Sequence, residues 1–137
     1  MPTINGTPGD DILSTSTSGD FIDAGAGNDR VTLVLNSSAD GGPGDDLVVM
    51  DIHAVLGDQS FTFTDGGTSP YPIFYYSSTY LQNFESIHLT TGSGNDTGRF
   101  YPASPTSVWG PDVWDAGAGT DTLIVELSNT GSNITAG

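Results

Sequence analysis

Asp11, Asp20 and Asp29 recur at a nine-residue interval, each after a turn of small residues and each followed two places later by Leu13, Ile22 or Val31. Carboxylates at that period can hold a hard cation. If two nine-residue units close one coil, residues 18 apart stack on one edge at roughly the 4.8 Å spacing of paired strands. Asp11 and Asp29 form such a pair. Carboxylates that close repel unless a cation lies between them. Backbone carbonyls beside them suit an ion taking six or more oxygens at about 2.3–2.6 Å, which is calcium chemistry. Soft or borderline metals are poorly served, because the chain has no cysteine and only His53 and His88, which lie far apart outside the repeats.

The elements that must position these carboxylates follow from the same unit. Six residues rich in Gly, Asp, Asn, Pro and Ser make a turn in which glycine supplies positive φ and close backbone approach. Three residues then form a short strand whose middle side chain points inward, since side chains alternate across a strand. Leu13, Ile22, Val31, Val48, Trp114 and Leu123 hold that middle place. The pattern G-G-x-G-x-D-x-U-x, a calcium-binding β-helix repeat, is complete in Gly41 to Val49 and lacks only its first glycine in Ala24 to Thr32. It returns in Thr91 to Arg99 and Ala116 to Ile124, and more weakly in Ser107 to Asp115. Four irregularities stand out. Asp29 and Asp46 are 17 apart, which requires one loop a residue shorter, and Ser37 to Ala39 offers Asp20 no acidic partner. Gly98 stands where a hydrophobe belongs, and the 16-residue step from Asp96 to Asp112 leaves the edge of Asp112 open.

These residues resemble the RTX, or haemolysin-type calcium-binding, repeats of secreted bacterial proteins, over about half the chain. The resemblance implies a parallel β-roll that folds around several Ca²⁺ ions and is largely disordered without them. It implies side-chain ligation by Asp11, Asp20, Asp29, Asp46, Asp96, Asp112 and Asp121. Carbonyls near Gly25, Gly27, Gly42, Gly44, Gly92, Gly94, Gly117 and Gly119 would complete the shells. It also implies a module of a larger exported protein, at the cell surface or outside the cell.

The expected fold is therefore one all-β domain over residues 1–137, a parallel β-roll or β-helix solenoid of nonapeptide repeats interrupted by a β insert. Repeats run over 6–49 and 91–124, with the insert over about 50–90. In that insert, Gln59 to Thr64 alternates polar and apolar residues, and Ile73 to Tyr76 resumes an apolar run, as a hairpin or an extra coil. Asn83 to Leu89 alternates back into the repeats, and Phe100 to Val108 reads as a lateral loop. The aromatic residues Tyr71, Phe74, Tyr75, Tyr76, Tyr80, Tyr101 and Trp109 either cap the solenoid or offer a surface for a polysaccharide or cell-surface partner.

Composition narrows the function. No lysine, two arginines and 17 acids give a formal charge of −15, so the compact chain repels itself unless bound cations neutralise it. With no basic patch, nucleic acid is excluded as a partner. No apolar stretch is long enough for a membrane-spanning helix. The N-terminus carries no basic stretch followed by an apolar core, so no cleavable signal peptide is expected in this chain. Thirteen aromatics argue against an acidic disordered tail. Catalysis is not expected: Glu85 and Glu126 read as isolated acids, and neither His53 nor His88 has a nucleophile setting. The sequence reads as a calcium-binding, monomeric structural module.

Overall fold

The computed structural model describes residues 2–64, 78–101 and 112–125. The run Ile73 to Tyr76, the rings of Tyr71 and Trp109, and most of the expected lateral loop lie outside the described residues.

Short strands alternate with glycine-bearing turns, and every strand pairing is parallel. Strands β1 (Thr3–Asn5), β3 (Phe21–Asp23), β5 (Ser38–Asp40) and β8 (Leu81–Gln82) form one sheet. Strands β2 (Ile12–Ser14), β4 (Arg30–Leu33), β6 (Leu47–Asp51), β9 (Ser86–Thr90) and β11 (Val113–Asp115) form the second. Strands β7 (Ser60–Thr64), β10 (Thr97–Tyr101) and β12 (Thr122–Val125) form a third. Among the described residues there is no helix.

The 18-residue stacking expected of the repeats is present. Ile4 pairs with Ile22, and Leu13 pairs with Val31. Inward rows follow from it: Leu13, Val31, Val48 and Ile87 on the second sheet, and Ile4, Ile22, Ala39 and Leu81 on the first. Ile22, Val31, Val48 and Ile87 are fully buried, each worth about 1.5–3 kcal/mol of transfer free energy. The shortened loop is also found. From the paired Ser14 and Thr32, six residues, 15–20, lead to β3, whereas five, 33–37, lead to β5. Asn36 takes a left-handed φ of 65° there, level with Gly19 at 90°.

The roll then gains a face. After β6 the chain turns into the third sheet instead of returning to the first, and Ser60–Thr64 takes the extra-coil alternative by pairing in parallel with β10. The core is continuous across this change, running from Ile22 through Met50 and Phe84 to Phe61, Phe63 and Phe100. Gly98 now has a reason. It pairs with Phe61, and a Cβ placed on it would lie 2.5 Å from the Phe61 ring and 3.1 Å from the Trp114 ring. The missing side chain makes room for Phe61 and Trp114 to meet edge to face at 5.1 Å, a contact worth about 0.5–1.5 kcal/mol.

Leu123 corrects its expected place in the core. Its register with Gly98 is the inward one, but among the described residues β12 is an outermost strand of its sheet and the side chain is 58% exposed.

Candidate metal centre

Three stacks of turns run along the solenoid. The first edge, between the first and second sheets, stacks turns 6–11, 24–29 and 41–46, with 83–85 as a final tier. The second edge runs from the second sheet back to the first through 15–20, 34–37 and 78–80. The third edge, between the second and third sheets, stacks 52–59, 91–96 and 116–121.

On the first edge the acids form a ladder. The Asp11 amide donates to Asp29 Oδ1 at 2.8 Å, the Asp29 amide to Asp46 Oδ1 at 2.8 Å, and the Asp46 amide to Glu85 Oε2 at 2.8 Å. A counter-running ladder lies one residue earlier. Asp10 Oδ1 accepts the Asn28 amide at 2.8 Å, and Asn28 Oδ1 accepts the Asp45 amide at 3.0 Å. Each tier is thus bound to the next in both directions.

The third edge repeats the device. The Gln59 amide donates to Asp96 Oδ1 at 2.7 Å and the Asp96 amide to Asp121 Oδ1 at 2.9 Å. In return Asp58 accepts the Asn95 amide at 2.8 Å and Asn95 accepts the Thr120 amide at 2.9 Å.

Glycine is required because successive turns approach so closely. Gly42 has φ of 87° and Gly44 of 148°, and a Cβ on either would strike the carbonyl of Gly25 or Gly27 below it. Gly25 and Gly27 lie likewise over Thr7 and Gly9. On the third edge Gly92 and Gly94 lie over residues 53–58, and Gly117 and Gly119 lie over Gly92 and Gly94. The turns are capped as they begin: Asp40, Asp51 and Asp115 each accept the amide two residues on, from Gly42, His53 and Gly117, at 3.0, 3.1 and 3.2 Å.

One oxygen of each buried ladder acid is left over. Asp29 and Asp46 are wholly buried and Asp96 is 1% exposed, yet Oδ2 of each has no hydrogen-bond partner. An unpaired buried carboxylate oxygen is costly. Burial raises the Asp29 carboxyl above 3.8, opposed by the Asp11 amide, with the charges of Asp11 and Asp10 adding to the rise. Burial also pushes Asp46 up to about 7, against the Asp29 amide and with help from Asp29, Glu85 and Asp45. Glu85 is raised chiefly by burial too. Carboxylate oxygens of this kind, together with backbone carbonyls, are the groups that a hard divalent cation takes as ligands. Among the described residues no three acidic or histidine side chains converge on one point. A cation held on these edges would therefore take most of its oxygens from backbone carbonyls.

The other expected ligands fall as follows. Asp20 lies on the second edge, 4% exposed, with Oδ2 accepting from Thr17 Oγ1 at 2.8 Å and Oδ1 without a partner. Its levels in the next two coils are Ser37 and Thr79, hydroxyls in place of acids. Asp112 lies at the first-edge end of the second sheet, accepting the Ile87 amide at 3.0 Å, two residues further along than the tier of Glu85. That step sets Trp114 beside Leu89. Two residues escaped the sequence reading. Glu85 is the fourth rung of the first edge, not an isolated acid, and Gln59 occupies an aspartate level on the third. Asn83-Phe84-Glu85-Ser86-Ile87 and Gly57-Asp58-Gln59-Ser60-Phe61 hold the end of the repeat with Glu or Gln for Asp, which is the signal that could have found them.

Residues 3–33, covering β1 to β4 and the first two tiers of the first edge, match the family described as the RTX calcium-binding nonapeptide repeat, in four copies. No curated protein and no solved structure matches the chain.

Proposed function

We propose that this chain, whose residues 3–33 are RTX calcium-binding nonapeptide repeats, is a structural module that folds around calcium outside the cell as part of a larger secreted or surface protein. RTX repeats bind Ca²⁺ at multiple sites. The observation that carries the reading is the first-edge ladder, in which Asp29 and Asp46 each give one oxygen to the preceding tier and bury the other without a partner. Calcium would be held by these free oxygens and by carbonyls of the stacked turns near Gly25, Gly27, Gly42 and Gly44. On the third edge Asp96 and Asp121, with turns at Gly92, Gly94, Gly117 and Gly119, offer the same groups. Asp11 would close the first tier, while Asp20 and Asp112 stand at less complete positions.

The physical role is coupled binding and folding. A chain of charge −15 stays expanded where calcium is scarce and closes where ions neutralise the ladders. Extracellular calcium modules bind at about 10⁻⁴ to 10⁻³ M. At ten times the dissociation constant each site adds about 1.4 kcal/mol, so three or four would add about 4–6 kcal/mol, comparable with the low end of a domain stability of roughly 5–15 kcal/mol. Nothing in this role calls for catalysis.

Far-UV circular dichroism during a calcium titration, reversed with EGTA and repeated with magnesium, tests the reading. A calcium-specific, reversible gain of β signal is expected. A β spectrum already complete in EGTA and unmoved by calcium would refute it.

A further inference from the structure

The turn 52–59 has no acid at the sixth repeat position, yet it forms a full tier of the third edge. Ser60 pairs with Thr97, so Gln59 stands level with Asp96. The tier is tied to the next in both directions, by Gln59 N to Asp96 Oδ1 and by Asn95 N to Asp58 Oδ1. The carbonyls of His53 and Val55 crowd the place where Gly92 lacks a side chain, and a Cβ on Gly94 would lie 2.9 Å from the Gly57 carbonyl. Into the same stack Asp96, 1% exposed, brings an Oδ2 with no partner.

This tier differs from those of the first edge in charge. Its Gln59 carries no carboxylate and spends its side-chain amide on the Gly57 carbonyl at 2.9 Å, a cap that satisfies an oxygen without an ion. The ladder positions of the first edge hold Asp10, Asp11, Asp29, Asp45, Asp46 and Glu85, whereas those of the third hold Asp58, Asp96 and Asp121. Calcium affinity falls as ligand charge is removed.

We propose that the 52–59 and 91–96 turns close a second, weaker calcium site from the carbonyls of His53 and Val55 and the free oxygen of Asp96, so that the chain answers calcium in two stages. The inference rests on the calcium reading above and adds an order to it. The first edge fills at lower calcium and closes the two-sheet section. The third edge fills at higher calcium and fixes β7 against β10, completing the third sheet. Gln59 sets the separation between the stages.

Trp114 reports the second stage. Its Nε1 donates to Thr91 Oγ1 at 3.1 Å, beside Gly92, and its ring meets Phe61 beyond Gln59. In the full chain carrying Trp109→Phe it is the single indole. Calcium chloride is titrated against far-UV signal and Trp114 emission, and calorimetry on the unmodified chain reads the stages as separate heats. The expected Trp114 midpoint lies about three- to tenfold above the first far-UV phase, in line with the loss of one ligand charge. Gln59→Glu pulls that midpoint down severalfold and leaves the first phase in place, whereas Asp96→Asn pushes it up. Coincident midpoints that Gln59→Glu does not separate or shift, with a single class of heats, overturn the two-stage proposal while leaving calcium-coupled folding intact. No calcium response in any signal overturns both.

Discussion

The amide of Asp29 donates to Asp46 Oδ1 at 2.8 Å, and the second oxygen of Asp46 is buried without a partner. One carboxylate thus ties two tiers and still has an oxygen to give. Asp29 stands in the same relation to Asp11, so each serves the levels above and below it.

Asp29→Ala is therefore expected to raise the calcium midpoint for folding more than Asp20→Ala, by about tenfold against about threefold. The larger figure corresponds to roughly 1.4 kcal/mol, within the cost of a lost charged hydrogen bond. Asp20 faces Ser37 and Thr79 levels where no acid completes a site. Equal midpoints in parallel dichroism titrations would contradict the assignment of edges.

Gly42→Ala is expected to cost at least about 1–2 kcal/mol, the penalty of a left-handed φ for an L residue, with the collision against the Gly25 carbonyl in addition. Saturating calcium should not rescue it, because the strain lies in the folded backbone. Urea unfolding in calcium gives the number. A variant as stable as the parent would mean that the turns are not stacked so closely.

The raised carboxyls fix the sign of the pH dependence for the calcium-free chain. Asp46 titrates near 7 when folded and near 3.8 when not, so the fold binds a proton that the unfolded chain releases. Its contribution is present below the ordinary carboxylate value and is lost as pH rises through about 7. Asp29 and Glu85 act in the same direction. In EGTA, where the chain is expanded at pH 8, acidification to about pH 5 should therefore restore part of the far-UV β signal, the opposite of a chain stabilised by paired carboxylates. A calcium-free β signal that grows as pH rises would contradict the burial of Asp46.

What the sequence made legible was whatever kept strict period. The stacking of Leu13 on Val31 and of Asp11 on Asp29 follows from an 18-residue coil, and the shorter passage over 33–37 follows from the 17-residue step. The third sheet did not follow, because a nine-residue unit states that a turn and a strand come next but not through what angle the turn sends the chain. Glu85 was hidden by the irregular length between it and Asp46, and Gln59 by the loss of the carboxylate that marks the repeat. Leu123 shows the remaining gap: alternation gives the face of a residue, whereas burial depends on a further coil to cover it.

Gly98→Val restores the hydrophobe that the repeat pattern calls for, and it should nevertheless destabilise the protein. The new side chain would enter space held by Phe61 and Trp114, an overpacking that costs about 1–3 kcal/mol. Thermal unfolding in calcium measures it. A melting temperature above the parent's would show that the two rings do not fill the position.

The most direct test is anomalous diffraction from crystals grown in calcium. Peaks are expected on the first edge within about 2.3–2.6 Å of Asp29 Oδ2 and Asp46 Oδ2, with turn carbonyls as the other ligands. Calcium found only elsewhere, with those two oxygens bonded to water or protein, would contradict the ladder as the metal centre.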